Sequence, residues 1–291
     1  MHALMRAFHV LLLAALFAGA NGAFAQGDAK RGEYLAKAGG CVGCHTAEGE
    51  KAVPYAGGRA LKTPFGTFYG PNITPHPTAG IGRWSEADFA RALREGLRPD
   101  GAHYFPAFPY PSFTRITDAD VRDLWAYLRS LPPNARASQE HDLKFPFRWR
   151  FLVLGWKWLF FTPGPFAPMP GRAAEVNRGD YLVNALGHCG ECHTPRNFLG
   201  GPVRDRLLAG TAKGKGPEGK RVSNLTPAKL KEWGDKELRD FLLTGITSDG
   251  DVVAEMMGEV IRNTTSQLAP QDLGAIIAYL RTLPAVADAP D

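Results

Sequence analysis

The feature that most constrains this chain is a five-residue pattern that occurs twice. Cys41-Val42-Gly43-Cys44-His45 is repeated as Cys189-Gly190-Glu191-Cys192-His193. Two cysteines with two residues between them, followed at once by histidine, form the attachment site of a c-type haem. The two thiols add to the two vinyl groups of one haem, and the adjacent histidine reaches the iron from the proximal side. The pattern therefore predicts two covalently bound haem c groups, held by Cys41, Cys44, Cys189 and Cys192, with His45 and His193 as axial ligands.

A pair of cysteines spaced in this way has two other common roles. It can form half of a zinc site or a redox-active disulfide, and two such pairs could together make a four-cysteine zinc site. Neither role requires a histidine directly after the second cysteine, yet both copies have one. The chain has four cysteines and the two motifs use all of them. Haem attachment is therefore favoured over zinc and disulfides.

The N-terminal residues have the pattern of a secretory signal. Arg6 supplies a positive charge, the apolar run 10–18 follows, and Ala23-Phe24-Ala25 is an A-x-A cleavage site. The run is shorter than the about 20 apolar residues that span a bilayer. We therefore expect a signal peptide over residues 1–25, cleavage near Ala25 and a periplasmic protein, the alternative being an uncleaved anchor. Export agrees with haem attachment, because c-type haems are attached outside the cytoplasm.

Length and charge narrow the possibilities further. The 291 residues are enough for two small domains, each with a core of its own. The formal charge of the chain is +5, or +4 once Arg6 is removed with the signal. The sequence has no basic helix and no array of alternating aromatic and basic residues, so we expect no nucleic acid partner.

The haem motif is the most visible part of an internal repeat. A Tyr-Leu pair precedes each motif, an Asn-Ile-Thr or Asn-Leu-Thr segment follows it, and an Ala-Tyr-Leu-Arg segment closes each copy. The matched pairs include Tyr34 and Tyr181, Asn72 and Asn224, Trp84 and Trp233, Gly96 and Gly245, and Ala126 and Ala278. We therefore expect one domain at residues 26–134 and a second at 175–291, joined by a connector at 135–174.

Each copy is expected to be mainly helical. Asp28 can cap a first helix, and Ser85 with Asp88 forms the pattern of a capping box for a second one. A last helix is predicted in each copy by apolar residues spaced i, i+3, i+4, i+7. These residues are Val121, Leu124, Trp125 and Leu128 in the first copy, and Leu273, Ile276, Ile277 and Leu280 in the second.

The connector is unusually rich in aromatic side chains. They are Phe145, Phe147, Trp149, Phe151, Trp156, Trp158, Phe160 and Phe161. The apolar part of this segment is too short to cross a membrane. Such a segment either packs between the two domains or exposes a patch for a partner protein or a membrane surface. Membrane-surface association through residues 145–161 is therefore one expected role.

Together these motifs resemble the multihaem cytochrome c subunits of periplasmic alcohol, aldehyde and sugar dehydrogenases. The resemblance rests on the paired haem motifs, on Asn72-Ile73-Thr74, on Gly80-Ile81-Gly82-Arg83-Trp84-Ser85 and on the closing Ala-Tyr-Leu-Arg segments. It covers most of the mature chain, although those subunits often carry three haems and this chain has two motifs. It implies two tandem class I cytochrome c-like domains, each wrapped around one covalent haem. The implied role is electron transfer, without enzymatic activity of its own, from a periplasmic dehydrogenase towards a downstream cytochrome, oxidase or quinone.

The resemblance also implies a methionine on the distal side of each haem iron. For the second haem, the segment 255–261 matches the methionine segment of the family. Met257 is the expected ligand, and Met256 is the alternative. A thioether opposite histidine raises the reduction potential and suits a low-spin electron carrier.

The first haem departs from the family pattern. Phe108 stands where the family usually has methionine, and no methionine lies between His45 and Met169. His103 is the candidate distal ligand, and the alternatives are an open position, His76 and Met169. A bis-histidine haem has a lower potential than a His/Met haem. On this hypothesis electrons run downhill from the first haem to the second.

A second function class remains open at this point. A dihaem redox enzyme of the peroxidase type would use an open distal position on the first haem. The cytochrome-type thiosulfate dehydrogenases use a cysteine ligand at the active haem, and here all four cysteines are used for attachment. The repeat pattern favours the carrier, and a shared haem fold does not by itself determine function.

Overall fold

The computed structural model of the chain describes residues 27–288. The predicted signal peptide, residues 1–25, and its cleavage site near Ala25 lie outside the described residues. Most of the described secondary structure is helical, which confirms the mainly α class. In the first repeat, residues 26–134, the helices are α1 (Ala29–Ala38), α2 (Cys41–His45), α3 (Glu86–Glu95), α4 (Tyr110–Phe113) and α5 (Asp118–Ser130).

The remaining helices follow in the connector, residues 135–174, and in the second repeat, residues 175–291. The connector holds α6 (Leu152–Phe160). The second repeat, whose first helix begins one residue before it, has α7 (Ala174–Tyr181), a π-helix (Leu182–Leu186), α8 (Gly190–His193), α9 (Pro227–Leu230), α10 (Asp235–Thr244), α11 (Glu255–Asn263) and α12 (Pro270–Arg281). Short 3₁₀ turns lie at Arg204–Arg206, Pro217–Gly219 and Thr265–Gln267.

A small antiparallel sheet joins the connector to the first repeat. Its strands are β1 (Ala60–Thr63), β2 (Gly66–Tyr69) and β3 (Asp142–Leu143), in the order β1-β2-β3. Gly66 pairs with Leu143 and Thr67 with Asp142. The connector therefore begins as an edge strand of the first repeat, which the periodicity of the sequence did not indicate.

The predicted helix caps are present. The Asp28 side chain accepts hydrogen bonds from the backbone N–H groups of Lys30 and Arg31 at the start of α1. Ser85 and Asp88 exchange the two hydrogen bonds of a capping box at the start of α3. Gly96 ends α3 with φ of 60°, a left-handed conformation that glycine adopts without steric cost. The local sequence thus determines where these helices begin and end.

Within each repeat the first and last helices cross at a glycine. A Cβ atom on Gly32 of α1 would lie 1.9 Å from the carbonyl oxygen of Asp123 in α5. A Cβ atom on Gly179 of α7 would lie 1.9 Å from the carbonyl oxygen of Ala275 in α12. Since no side chain fits in that space, glycine is required for this close crossing, and the equivalent pair of crossings supports the internal repeat.

The π-helix accommodates a difference in length between the repeats. Tyr34 precedes Cys41 by seven positions, whereas Tyr181 precedes Cys189 by eight. The second repeat therefore has one extra residue between its tyrosine and the first cysteine of its motif, although both residues have equivalents in the first repeat. Helix α7 continues directly into the π-helix, whose wider turn takes up one additional residue.

Reciprocal contacts hold the two repeats together. The Tyr34 hydroxyl of α1 donates to Asp272 of α12 at 2.6 Å, and the Tyr181 hydroxyl of the second repeat donates to Asp120 of α5. Arg31 also bonds to Asp120, as Arg178 does to Asp272. Buried residues of both repeats form one continuous hydrophobic core.

The connector buries only part of its aromatic residues: Phe161 packs on Tyr110 of the first repeat, whereas five of the eight aromatic side chains are exposed. Trp158 is 86% exposed, and several of its neighbours are also largely exposed. An exposed patch therefore describes this segment better than packing between domains. Over the described range 27–288, no helix combines the length and the apolar character that a bilayer crossing requires.

Candidate haem centres

The two cysteine motifs lie on short helical turns. Cys41 and Cys44 lie three positions apart in the one-turn helix α2, so their thiols share a face. Burial, followed by the charge of the neighbouring thiol, raises the pKa of Cys41 and of Cys189 to about 12.

Neither a disulfide nor a zinc site is supported for the cysteine pairs. All four cysteines are free thiols, without a disulfide. In the part of the chain that the structure describes, no three His, Cys, Asp or Glu side chains are grouped to hold a metal ion.

Each motif histidine is oriented by a backbone carbonyl. His45 Nδ1 lies 2.8 Å from the carbonyl oxygen of Pro71, and His193 Nδ1 lies 2.7 Å from that of Ser223. Because a carbonyl only accepts, Nδ1 carries the proton and Nε2 keeps its lone pair. Burial lowers the pKa of both histidines, against the opposing effect of the carbonyl bond, so both stay neutral. A neutral imidazole with a free Nε2 is the form that binds haem iron, so these residues fit the predicted group.

The Asn-Ile-Thr segment has a structural role that the sequence alone did not reveal. Asn72 follows Pro71 directly, and its side-chain amide donates to the carbonyl oxygens of Asn134 and Arg136. Its side-chain oxygen accepts from the backbone N–H and the hydroxyl of Thr74. These bonds fix the backbone just after the carbonyl that orients His45. The repeated segment could have indicated this role, because Asn224 and Thr226 form the corresponding bonds beside Ser223 in the second repeat.

The methionine predicted for the second haem lies at the inner side of its helix. Met257 is the third residue of α11 and packs, partly buried, against the hydrophobic core. Met256 is partly buried but is not among the residues packed on that core. This placement favours Met257 over Met256 as the residue that faces the interior.

In the first repeat the corresponding position is filled by an aromatic ring. Phe108 packs edge-on against Tyr104, with ring centroids 5.4 Å apart, and against Phe113 at 5.8 Å. Phe108 therefore contributes to the core and offers no atom that can bind iron.

The structure places His103 against the connector helix. Its Nδ1 lies 2.9 Å from the ammonium nitrogen of Lys157, and its carbonyl oxygen accepts from Arg150. Burial, and then the charge of Lys157, lower the pKa of His103. A lysine can only donate, so this contact needs the proton on Nε2. Ligation of iron through Nε2 would therefore require Lys157 to turn away.

His76 and Met169 occupy positions that do not favour ligation of the first iron. His76 Nδ1 accepts from the backbone N–H of Ala79 at 3.1 Å and stabilises a turn. Met169 lies in the connector, where its backbone bonds to Asn177 and its side chain is exposed. Both side chains are thus engaged or directed away from the core, and neither gains support as a ligand.

Comparison with known proteins decides the family. A family model described as cytochrome c matches residues 29–132. A dihaem cytochrome c-type protein of Cereibacter sphaeroides is 48% identical over 276 residues, which cover 93% of this chain and 89% of the relative. This chain belongs to the dihaem c-type cytochromes. Membership implies covalently bound haem c and a role in electron transfer.

Further relatives of the cytochrome are subunits of larger assemblies. An alcohol dehydrogenase (quinone) cytochrome c subunit of Gluconacetobacter polyoxogenes is 40% identical over 269 residues, or 88% of this chain and 56% of the relative. A fructose dehydrogenase cytochrome subunit of Gluconobacter japonicus is 40% identical over 260 residues, which cover 89% of this chain and 53% of the relative. The cytochrome spans about half the length of these two relatives. The resemblance to dehydrogenase cytochrome subunits is thereby confirmed.

In this cytochrome, each attachment turn contacts the opposite repeat. Glu259 of α11 pairs with Arg59 of the first repeat at 2.8 Å, and a Cβ on Gly43 would lie 3.5 Å from the Glu259 carboxylate. In reciprocal fashion, Glu191 of the second motif accepts from Ser112 at 3.1 Å. Both turns thus lie where the repeats adjoin, an arrangement that only the folded chain reveals.

Proposed function

We propose that the chain is a periplasmic dihaem electron carrier. It would accept electrons from a partner dehydrogenase and pass them towards the respiratory chain through a downstream cytochrome, oxidase or quinone. The observation that carries the proposal is the contact of each CxxCH turn with the opposite repeat, described above for Glu259 and for Glu191. Two redox centres that each border the opposite repeat suit stepwise transfer within one molecule.

The proposal assigns each half of the chain one haem. Residues 26–134 and 175–291 would each form a class I cytochrome c-like domain, with 135–174 as the connector. When bound, haem c supplies the redox-active iron of each domain. Cys41 and Cys44 would hold the first group and Cys189 and Cys192 the second, while His45 and His193 present Nε2 to the iron.

The chain's own residues set the environment of each centre. The carbonyl of Pro71 fixes the orientation of the His45 ring, and the carbonyl of Ser223 fixes that of the His193 ring. Met257 is the proposed distal ligand of the second centre, which would raise its potential. His103 is the proposed distal ligand of the first centre, with an open position as the competing proposal. If His103 binds, the first centre has the lower potential and electrons pass from the first to the second.

The relatives support a dehydrogenase as the electron donor. Two of them are named as cytochrome subunits of an alcohol and a fructose dehydrogenase. None of the three relatives described above is named as a peroxidase, so a peroxidase-like enzyme has no support from them. The signal pattern of residues 1–25 supports the periplasm as the location.

A potentiometric titration of the holoprotein tests the proposal. We expect two haem c per chain and two one-electron steps. Met257→His should lower the potential of the higher step, on the order of 0.1 V within the about 0.8 V that axial ligands span, because a thioether favours the reduced iron more than imidazole does. Met256→Leu is the matched control and should leave both steps in place.

Two results would contradict the assignment. A single haem per chain would refute the dihaem carrier. A shift of the lower step in Met257→His would reverse the proposed order of the two centres.

A further inference from the structure

Helix α6 of the connector has the reverse of the usual polarity of a surface helix, with apolar side chains towards solvent and its charged side chain towards the protein. A surface helix usually directs charged side chains to solvent and apolar ones to the core. In α6, Trp158 and Leu159 are exposed, as are Phe151 and Leu152 at its N-terminal end. The one charged residue of the helix, Lys157, points inward. An apolar outer face with an inward lysine indicates that this face is a binding surface, covered by another molecule when the protein functions.

The inward lysine is fully engaged. Its ammonium group donates to the carbonyl oxygens of Glu95 and Gly96, near the end of α3, and contacts His103. It also lies 4.8 Å from the ring centroid of Tyr110, a cation–π contact. Because these partners hold Lys157, the orientation of α6 is fixed by the first repeat.

Residues from two other segments extend the apolar face of the connector. Phe65, in the β1–β2 turn, packs on Phe147 with ring centroids 4.8 Å apart. The turn that carries Phe198 and Leu199 belongs to the second repeat, and the Leu199 carbonyl accepts from Trp156 of α6. Phe198 is 88% exposed. We call this surface the apolar platform, and its exposed members are Phe145, Phe147, Trp149, Phe151, Leu152, Leu154, Trp158, Leu159, Phe198 and Leu199.

The charge of the mature chain is concentrated beside this platform. The connector, residues 135–174, has six basic and two acidic side chains, a net charge of +4. The first repeat has 13 basic and 11 acidic side chains and the second 14 and 16, so their charges of +2 and −2 cancel. Lys144 and Arg148 of the connector are exposed, and so is the neighbouring Arg204. The positive excess therefore comes from the connector, and its exposed Lys144 and Arg148 lie among the exposed apolar side chains.

An anionic lipid surface matches both properties at once. Helix α6 has nine residues and a length of roughly 14 Å, less than half of the about 30 Å hydrocarbon core of a bilayer. Apolar and aromatic side chains flanked by lysine and arginine are typical of helices that lie in the interface of a membrane, where tryptophan is favoured. A protein partner would satisfy the apolar face but would also need a matching acidic rim.

We propose that the apolar platform docks the cytochrome on the anionic face of a phospholipid bilayer. The platform inserts its aromatic side chains among the lipid headgroups, and Lys144, Arg148 and Arg204 contact the lipid phosphates. The docking side is built from the connector and both repeats, so the orientation of both haem centres relative to the membrane is fixed. The inference concerns binding alone and does not depend on the proposed electron donor.

Vesicle flotation of the purified holoprotein tests this proposal. With vesicles of phosphatidylethanolamine and phosphatidylglycerol the protein should float, and with phosphatidylcholine alone it should stay at the bottom of the gradient. The double variant Trp158→Ser with Phe198→Ser should bind the anionic vesicles at least about tenfold more weakly, because two large apolar side chains no longer insert. Arg148→Glu should weaken binding and remove much of its dependence on salt.

Matched controls lie away from the platform. Val252→Ser removes an exposed apolar side chain of the second repeat, and Lys236→Glu reverses an exposed charge on α10. Both should float as the wild type does. The visible haem spectrum of each variant shows that it is folded and loaded.

Three results would overturn the proposal. The first is failure of the wild type to float with anionic vesicles, and the second is unchanged flotation of the double variant. The third is concentration-dependent dimerisation that is lost in the double variant, since a second copy would then cover the platform. None of these results would affect the haem content or the redox steps that test electron transfer.

Discussion

At the scale of the single residue, the contact between His103 and Lys157 determines whether His103 Nε2 is free to bind an iron. His103 can accept from Lys157 only as the tautomer whose Nε2 carries the proton. Iron ligation needs the other tautomer. The position of His103 corresponds to that of Val252, since each forms the isolated bridge that follows α3 or α10. The ligand position of the family, Met257, corresponds instead to Phe108.

Electron paramagnetic resonance of the ferric holoprotein distinguishes the two proposals for the first iron. If His103 binds, two low-spin signals are expected, and His103→Ala should convert one of them completely to high spin. His76→Ala is the control and should leave both signals unchanged, because His76 only stabilises its own turn. One high-spin signal in the wild type would show that the first iron lacks a strong distal ligand.

At the scale of the element, two pairs of helices share one bonding pattern across the repeats. Asp272 of α12 accepts from Tyr34 of α1 and from Arg178 of α7. Burial acts to raise the pKa of Asp272, but the bonds from Arg178 and Tyr34 outweigh it and keep the pKa below its usual value. Burial and the bond to Asp272 raise the pKa of Tyr34 to about 12.

These shifts give the interface a defined pH window. A carboxyl group whose pKa is lowered on folding stabilises the fold at pH values above its pKa in the unfolded state. This stabilisation is lost as the pH falls through its pKa in the folded state. A raised tyrosine pKa stabilises the fold below the unfolded value of 10.0 and is lost as the pH rises towards about 12. The contribution of this pair should therefore be greatest between about pH 5 and 10.

Tyr34→Phe tests the contribution of this pair. Because it leaves a half-buried carboxylate with one partner fewer, we expect the free energy of unfolding to fall by about 1–2 kcal/mol at pH 7. The difference from the wild type should shrink at pH 3 and at pH 12. Urea unfolding at the three pH values measures it, and Tyr69→Phe is the control. Equal loss at all three values would contradict the titration argument.

At the scale of the whole molecule, the two repeats are expected to behave as one body. One hydrophobic core runs through both, and hydrogen bonds cross between them in both directions. Large, apolar contacts of this kind oppose relative motion of domains. The separation of the two attachment turns should therefore be fixed in solution.

Flash reduction measures this rigidity. Electron exchange between the two haems should be first-order, independent of protein concentration and unchanged when glycerol increases the viscosity several-fold. The double variant Tyr34→Phe with Tyr181→Phe should acquire a dependence on viscosity, because two of the crossing hydrogen bonds are gone. A wild-type rate that falls in proportion to viscosity would show that the repeats must move before the electron does.

The sequence predicted those features whose causes lie close together along the chain. The caps at Asp28 and Ser85 and the two motif turns depend on neighbours within a few residues, and each is present. The Tyr34–Asp272 bond joins residues 238 positions apart, so no local pattern could pair them. The repeated tyrosine before each motif indicated that this residue has a role in both repeats. The spacing of the sequence could not indicate that its partner is an aspartate of the other repeat.

The connector shows a second limit of sequence reasoning. Its aromatic composition suits a buried linker and an exposed docking surface equally well. The exposure of Trp158 and the inward direction of Lys157 separate the two, and that direction depends on carbonyls at the end of α3, some 60 residues earlier. The strand β3 was missed for the same reason, because its partner strand lies in the first repeat.

The exchange of tyrosine and aspartate between the repeats has a consequence for the symmetry of the molecule. Each repeat carries both members of the contact, as each subunit does in an isologous interface. Within one chain, the two repeats therefore meet as two subunits of a homodimer would. They are not identical, however: the second repeat has an extra residue in its π-helix, and the first has phenylalanine at position 108.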